Sequence, residues 1–301
     1  MQARPFLKWA GGKTQLLPEL LARCPASIGT YFEPFVGAGA LFFALASDAA
    51  RAPRRAVLAD ANAELMAAYA AVRDAPEALA GRLGALEACY LAGDAAERER
   101  MYYEVRASTP EAPLDCAARL IFLNKTCFNG LYRVNQRGEF NVPHGRYRAP
   151  RIADRETLCA ASRALAGVEL RTLDFAEACE DARPGDFVYF DPPFHPLSVT
   201  SSFTQYTRQA FGRAEQVRLK QCIDTLTVRG VAVLLSNSAD PWLRGGYDFA
   251  GYCTEVVPAR RAINSRGDRR GAVGELLVTN AAECARLTST LRGAAEELAP
   301  G

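Results

Sequence analysis

The feature that most constrains the fold of this chain is a pattern of apolar runs and glycines near its beginning. An apolar stretch at 31–36 runs into Gly37-Ala38-Gly39, the apolar run ALFFALAS follows at 40–47, and a second short apolar stretch at 56–59 stops at Asp60. Strand-length apolar runs on either side of a helix-length one, with glycines at the junction, predict a strand, a tight turn, a helix and a second strand. That unit opens a doubly wound α/β sheet, because parallel neighbours need a crossover between them. Glycine suits a turn where the backbone bends sharply and lets a ligand come close. The dinucleotide-binding fingerprint requires a third glycine, and Phe42 stands in its place, which argues against a pyrophosphate cradle. Asp60, about 20 residues on, is where an acid can hold ribose hydroxyls or cap a helix over 61–73.

The remainder of the chain divides by pattern. Residues 14–24 predict a short helix. From about 62 to 126, four stretches rich in Ala, Leu, Glu and Arg predict helices. Residues 127–150, where Gly, Asn and Pro recur with Tyr, Phe and Arg, predict a long loop or a hairpin. Strands are expected again at 168–173, 187–190, 231–236, 254–257 and 275–279, with a helix at 212–228 and an Ala-rich helix after about 285. The expected architecture is one α/β domain built from 1–61 and 156–301, interrupted by a mostly helical insertion at 62–155. Insertions at the carboxyl end of such a sheet lie near its ligand crevice.

Composition excludes several classes. A chain of 301 residues that is 49% hydrophobic can bury a full α/β core. Its net charge of +2 is not that of a globally basic protein, so a nucleic-acid partner requires a local patch. Such a patch exists: between 133 and 155 there are six arginines against two acids, Glu139 and Asp154, with Tyr132, Phe140 and Tyr147 among or beside them. Arginine can read guanine O6 and N7 with two hydrogen bonds, while others hold phosphates. The nine cysteines contain no C-x-x-C pair and there are only two histidines, so no metal is expected and the cysteines read as small reduced core residues. The N-terminus has no long apolar segment and no run approaches a membrane span, which points to a cytoplasmic enzyme.

The reactive chemistry is expected where the apolar run 187–190 meets Asp191-Pro192-Pro193-Phe194. Two prolines fix the backbone and free a carbonyl from the sheet ladder. The Asp191 carboxylate and the Pro192 carbonyl can then accept from the two N–H bonds of one amino group, and Phe194 offers a face on which a base can stack. Exocyclic amines of nucleobases are poor nucleophiles, and two such acceptors polarise one toward a tetrahedral nitrogen. A base inside a duplex has to be flipped out to reach them. Ahead of the first strand, the segment from Phe6 to Lys13 joins Trp9, Gly11, Gly12 and Lys13; an aromatic face can meet a sulfonium and a lysine a carboxylate.

FLKWAGGK, EPFVGAGA, LADANAEL, DPPF and FNGLYRVNQRGEFNVPHGRY together resemble the Dam-type DNA adenine-N6 methyltransferases, the D12 or alpha class, over roughly residues 6–280 and in that family's order. The resemblance implies a Rossmann-like, seven-stranded, mostly parallel methyltransferase sheet with a helical target-recognition domain inserted before DPPF, and S-adenosylmethionine as methyl donor without a metal. It assigns Trp9, Lys13, Asp60 and Asp191 to the cofactor, sets Gly37 and Gly39 beneath it, and lays Asp174 and Phe175 against its adenine. It makes Asp191, Pro192, Pro193 and Phe194 the catalytic motif. The family usually carries tyrosine at position 194; phenylalanine keeps the stacking face, loses a hydroxyl, and also occurs in related cytosine-N4 enzymes, which share the chemistry. Phe128 corresponds to an aromatic wedge in the base stack, Asn129 and Arg133 to base readers, and Pro143 and Tyr147 follow in the same loop, with Arg146 and Arg148 expected at phosphates. The expected partner is double-stranded DNA at a GAT-containing site such as GATC, bound by a monomer, with a separate restriction endonuclease as a further expected partner. A catalytically idle DNA-binding relative is the competing reading, and the intact Lys13, glycine turn and Asp191 argue against it.

Overall fold

The computed structural model describes residues 2–9, 11–193, 211–249, 252–260 and 272–280. Seven strands form one sheet: β1 (Thr30–Glu33), β2 (Arg55–Ala59), β3 (Glu169–Arg171), β4 (Phe187–Phe190), β5 (Ala232–Ser238), β6 (Cys253–Arg260) and β7 (Ala272–Thr279), in the order β3-β2-β1-β4-β5-β7-β6. All pairs are parallel except those of β7, which runs antiparallel to both β5 and β6. The chain moves outward from β1 through β2 to β3 and then returns to lay β4 on the other side of β1. That reversal is the switch point at which open α/β sheets leave a crevice beyond the strands' carboxyl ends. The β1–β4 register, with Tyr31 opposite Phe187 and Phe32 opposite Val188, brings Glu33 and Asp191 to the two sides of that crevice. This is a Rossmann-like, doubly wound α/β sheet with one antiparallel strand.

β4 is buried along its whole length, because helices cover both faces of the sheet. Phe187 and Tyr189 join a core with α2 (Ala40–Ala46), whereas Val188 and Phe190 join a second core with α9 (Arg213–Val228) and α10 (Pro241–Phe249). Alternate residues facing opposite layers follow from the two-residue period of a strand.

Between β2 and β3 lie α3 (Ala63–Asp74), α4 (Pro76–Ala92), α5 (Ala95–Ala107), α6 (Pro113–Thr126) and α7 (Arg155–Leu165). Their starts are encoded locally. Asn62 accepts from Leu65 N at 3.2 Å, Asp94 and Glu97 form a reciprocal capping box, and Pro76 and Pro113 sit in the first turns of α4 and α6. The central helix α6 buries Leu120, Ile121, Phe122 and Leu123 in the core that α3, α4 and one face of the sheet share.

Several expectations change. The helix expected over 14–24 is a 3-10 turn, Lys13–Leu16, followed by α1 (Leu17–Ala22). Of the long loop or hairpin expected over 127–150, the loop is found: it contains a 3-10 turn, Phe128–Gly130, and two isolated bridges, Cys127 with His144 and Val134 with Phe140. Asn129 and Arg146 have φ of 56° and 55°, which interrupts an extended ladder. α7, α8 (Phe175–Ala178) and α10 were not anticipated. Cysteines 24, 127 and 179 are buried as expected, but Cys89 is exposed and Cys116, Cys159, Cys222 and Cys253 are half-buried. Cys284 and the helix expected after about 285 lie outside the described residues. Among the described residues no helix is long and apolar enough to cross a membrane, and no group of His, Cys, Asp and Glu could hold a metal.

Candidate active site

A cavity of about 550 Å³ opens at the switch point. Its walls bring together Trp9, Lys13, Gly37, Gly39, Asp60, Asp174, Phe175, Asp191, Pro192 and Pro193 with Glu33, which sequence reasoning had not singled out. The floor is the turn after β1. Gly37 and Gly39 have φ of 46° and 66°. A Cβ at Gly37 would come within 2.8 Å of Trp9 Cδ1, and one at Gly39 within 2.8 Å of the Tyr69 hydroxyl, which itself donates to Gly37 O at 3.0 Å. Both glycines are thus demanded by backbone shape and by close packing of the N-terminal segment and α3.

Asp60, just beyond β2, accepts from Asn62 N at 2.9 Å and from Gly37 N at 3.4 Å. It ties the second strand to the glycine turn, and the cap of α3 is Asn62 instead, two residues nearer the helix. Burial pushes the Asp60 carboxyl up to about 6, opposed by those two N–H donors. On the far wall Asp174 caps α8 and receives both guanidinium nitrogens of Arg218 at 2.6 Å; Arg218 holds its carboxyl below the usual range. Phe175 stacks on Phe35 with centroids 5.3 Å apart, and Arg218 lies 4.2 Å from the Phe175 ring centroid.

At the end of β4, Asp191 Oδ1 is 2.7 Å from Lys13 Nζ and accepts from the Ser236 hydroxyl at 3.1 Å. Lys13 Nζ also lies 3.0 Å from Glu275 Oε1. Lys13, which lines the cavity, lies between two carboxylates of its own chain, as a buried ammonium requires. Burial alone would lower the Lys13 pKa; Asp191 and Glu275 outweigh it and hold it above the ordinary value. Burial raises the Asp191 carboxyl, against the pull of Lys13 and Ser236. Glu33, fully enclosed, accepts from the Tyr31 hydroxyl at 2.9 Å; burial pushes it up to about 8, with the Asp191 charge adding to the rise. Behind the prolines, Gln216 Nε2 lies 3.5 Å from Pro193 O and its own carbonyl accepts from Asn237 at 3.0 Å. Phe194 lies outside the described residues.

The 127–150 loop reaches the rim of this cavity. Trp9 stacks on Tyr132, with centroids 5.2 Å apart and planes at 21°. Phe128 is 46% exposed, and its N–H donates to Pro143 O at 2.9 Å. The Asn129 N–H donates to the Tyr147 hydroxyl at 3.0 Å. Arg133 is held by Asn141, through Oδ1 at 2.6 Å and the carbonyl at 3.2 Å. Arg146 is largely exposed and lies 3.5 Å from Glu99, and exposed Arg148 offers its carbonyl to Arg98 at 2.7 Å. The loop is thus held by neutral partners at Asn129 and Arg133 and by acids at Tyr132, which donates to Glu64 at 3.0 Å, and at Arg146.

The residues missed from sequence are Glu33, Arg218, Ser236 and Glu275. The acids had a signal, since Glu33 closes one largely apolar strand and Glu275 interrupts another; Arg218 and Ser236 had none.

The family model of the D12 class N6 adenine-specific DNA methyltransferases matches residues 9–260. The chain is 41% identical over 287 residues to the Type II methyltransferase M1.LlaDCHI of Lactococcus lactis subsp. cremoris, covering 92% of this chain and 95% of that protein. It is 40% identical over 291 residues to the Type II methyltransferase M.MjaIII of Methanocaldococcus jannaschii, covering 93% and 100%. It is 36% identical over 276 residues to the DNA adenine methylase of Escherichia coli K12, covering 91% and 94%.

Proposed function

Because this chain belongs to the D12 class N6 adenine-specific DNA methyltransferase family, we propose that it moves the methyl group of S-adenosylmethionine to N6 of an adenine flipped out of duplex DNA, within a GAT-containing site such as GATC. The cytosine-N4 alternative gives way to the adenine-specific family. The observation that carries the finer reading is the single cavity joining Asp60, Asp174 and Phe175 to Asp191 across the switch point.

The donor set fits that cofactor. The cavity is lined by Asp60, Asp174, Asp191 and Glu215 against Lys13 and Arg218, with Glu33 kept protonated by burial, and this acidic excess suits a ligand with a net positive charge and no phosphate. When bound, S-adenosylmethionine supplies an electrophilic methyl carbon on a positive sulfur. Asp60 accepts ribose hydroxyls from the end of β2, Asp174 and Phe175 flank the adenine ring, and Trp9 with the Gly37–Gly39 turn shapes the methionine side. Lys13 serves the pocket through Asp191. Asp191 and the Pro192 carbonyl accept from the target amine and so raise the electron density on its nitrogen, while Phe194 is the stacking platform.

The insertion 62–155 acts as the target-recognition domain. In it Phe128 wedges into the base stack, Asn129 and Arg133 read base edges, and Pro143, Arg146, Tyr147 and Arg148 hold the backbone. Two relatives are named as Type II methyltransferases, which supports a separately acting restriction endonuclease as partner to a monomeric, cytoplasmic enzyme. The test is transfer of label from methyl-labelled S-adenosylmethionine to matched duplexes, together with base-resolved methylation sequencing of DNA from cells expressing the chain. Label in N6-methyladenine at GATC is the expected result. Methylation confined to another sequence refutes the site, and no transfer from this donor refutes the cofactor.

A further inference from the structure

We propose that Glu275 is a positioning residue for methyl transfer: it holds the Lys13 ammonium against Oδ1 of Asp191 and thereby leaves Oδ2 to receive the target amine. The inference rests on Asp191 being the acceptor for that amine, as proposed above.

Sheet register places the three groups together. Asp191 follows Phe190, which pairs with Leu235 of β5, so it stands beside Ser236. β7 runs back along the other side of β5, pairing Ser238 with Glu275. Glu275 therefore enters the catalytic end of the sheet from beyond β5, and Lys13, from the N-terminal 3-10 turn, fills the gap between the two acids at 2.7 and 3.0 Å. Lys13 and Glu275 side chains are 4% and 7% exposed, so neither charge is screened by solvent.

An ammonium has three N–H donors. One of those of Lys13 donates to Gly11 O at 2.9 Å, and ion pairs to Asp191 Oδ1 and Glu275 Oε1 hold the charge between the two acids. Both Lys13 and the Ser236 hydroxyl bond to the same oxygen of Asp191, Oδ1, and no bond to Oδ2 occurs among the described residues. The carboxylate is thus oriented by one oxygen with the other left over. Sharing the ammonium with Glu275 also keeps Lys13 from neutralising Asp191 completely, so that Oδ2 retains acceptor strength. A merely structural ion pair would need one carboxylate; the second one, aimed at the same ammonium, sets both its direction and its charge balance.

The test is a single-turnover assay with enzyme in excess over a duplex containing one target site, using saturating methyl-labelled S-adenosylmethionine. Rates are normalised to the DNA-bound fraction. Glu275→Gln keeps the shape and loses the charge; its rate constant should fall about 10- to 100-fold, the scale of a misplaced reacting group, with the Kd for DNA within about twofold of the parent. In a Lys13→Met background the same change should cause no further loss, since Glu275 acts through Lys13. A parental rate for Glu275→Gln, or losses that multiply in the double variant, would overturn the proposal. If the glutamine variant does not fold, Glu275→Asp, one methylene shorter, carries the test: slowed transfer at unchanged DNA affinity supports the clamp and a parental rate refutes it. Asp191→Asn is run alongside. An active Asp191→Asn means that the catalytic reading has failed, whereas an inactive one beside a parental Glu275→Gln means that only the clamp has.

Discussion

Replacing Glu33 by glutamine should make the protein's stability less dependent on pH, and the size of the effect can be worked from the site. Glu33 ends β1 with 3% of its surface exposed, accepts from the Tyr31 hydroxyl and faces the charge of Asp191. Burial, with Asp191 adding to it, raises its carboxyl from 4.5 to about 8. The folded state therefore keeps a proton that the unfolded chain releases. Stability from this group is fully present below pH 4.5 and is lost as pH rises through about 8. Within that window the loss is about 1.4 kcal/mol per pH unit, or about 4 kcal/mol between pH 5 and pH 8. Glutamine has nearly the same shape, can accept from Tyr31, and never ionises. Urea unfolding of parent and Glu33→Gln at pH 5, 6, 7 and 8 should give a difference that grows in favour of the variant by about that slope. A difference independent of pH would mean that Glu33 is ionised in the folded protein and that the burial argument is wrong.

The remaining predictions concern transfer and recognition. Asp191→Ala should lower turnover by at least about 10²-fold by removing a preorganised acceptor, while gel-shift affinity for DNA persists because the basic loop is intact; near-parental turnover would refute the mechanism. Arg133→Ala should cost about 1–3 kcal/mol on the target duplex and narrow the gap to a duplex altered at its guanine, read as binding and methylation on matched duplexes. Equal weakening on every duplex would make Arg133 only an electrostatic contact. Arg148→Ala should leave that gap alone and reduce the log–log salt slope by about one charge, and an unchanged slope would remove it from the phosphate contacts.

The parts of the fold that were legible in the sequence are those set by local periodicity. β4 stood out because a strand covered on both faces is apolar at every position, and α3, α4, α5 and α6 because strong helix formers follow a cap at Asn62 and Asp94 or a first-turn proline at Pro76 and Pro113. The glycine turn was legible because Gly37 and Gly39 adopt backbone angles that few other residues tolerate. α10 was not, since Gly245 and Gly246 lower its propensity, although buried Leu243 and Tyr247 stand one turn apart. In the site, the motif residues could be named singly, but their partners could not. The contact of Lys13 with Glu275 joins opposite ends of the chain, and Arg218 meets Asp174 across two elements, so no spacing announces either. Residues 127–150 left a long loop and a hairpin open, and the structure takes the loop because Asn129 and Arg146 turn the backbone out of an extended ladder.

The strand order carries a consequence for biosynthesis. β6 is translated before β7, yet its neighbour in the sheet is β7, which inserts between β5 and β6. Until residues 272–279 have left the ribosome, β5 presents an open edge and β6 has no partner among the described strands. A nonsense mutation shortly before position 272 would therefore detach two strands from the sheet instead of one. It would also take away Glu275, leaving Lys13 with Asp191 as its one carboxylate among those described. Such a truncated product, with an exposed sheet edge, is a substrate for aggregation or proteolysis rather than a slow methyltransferase.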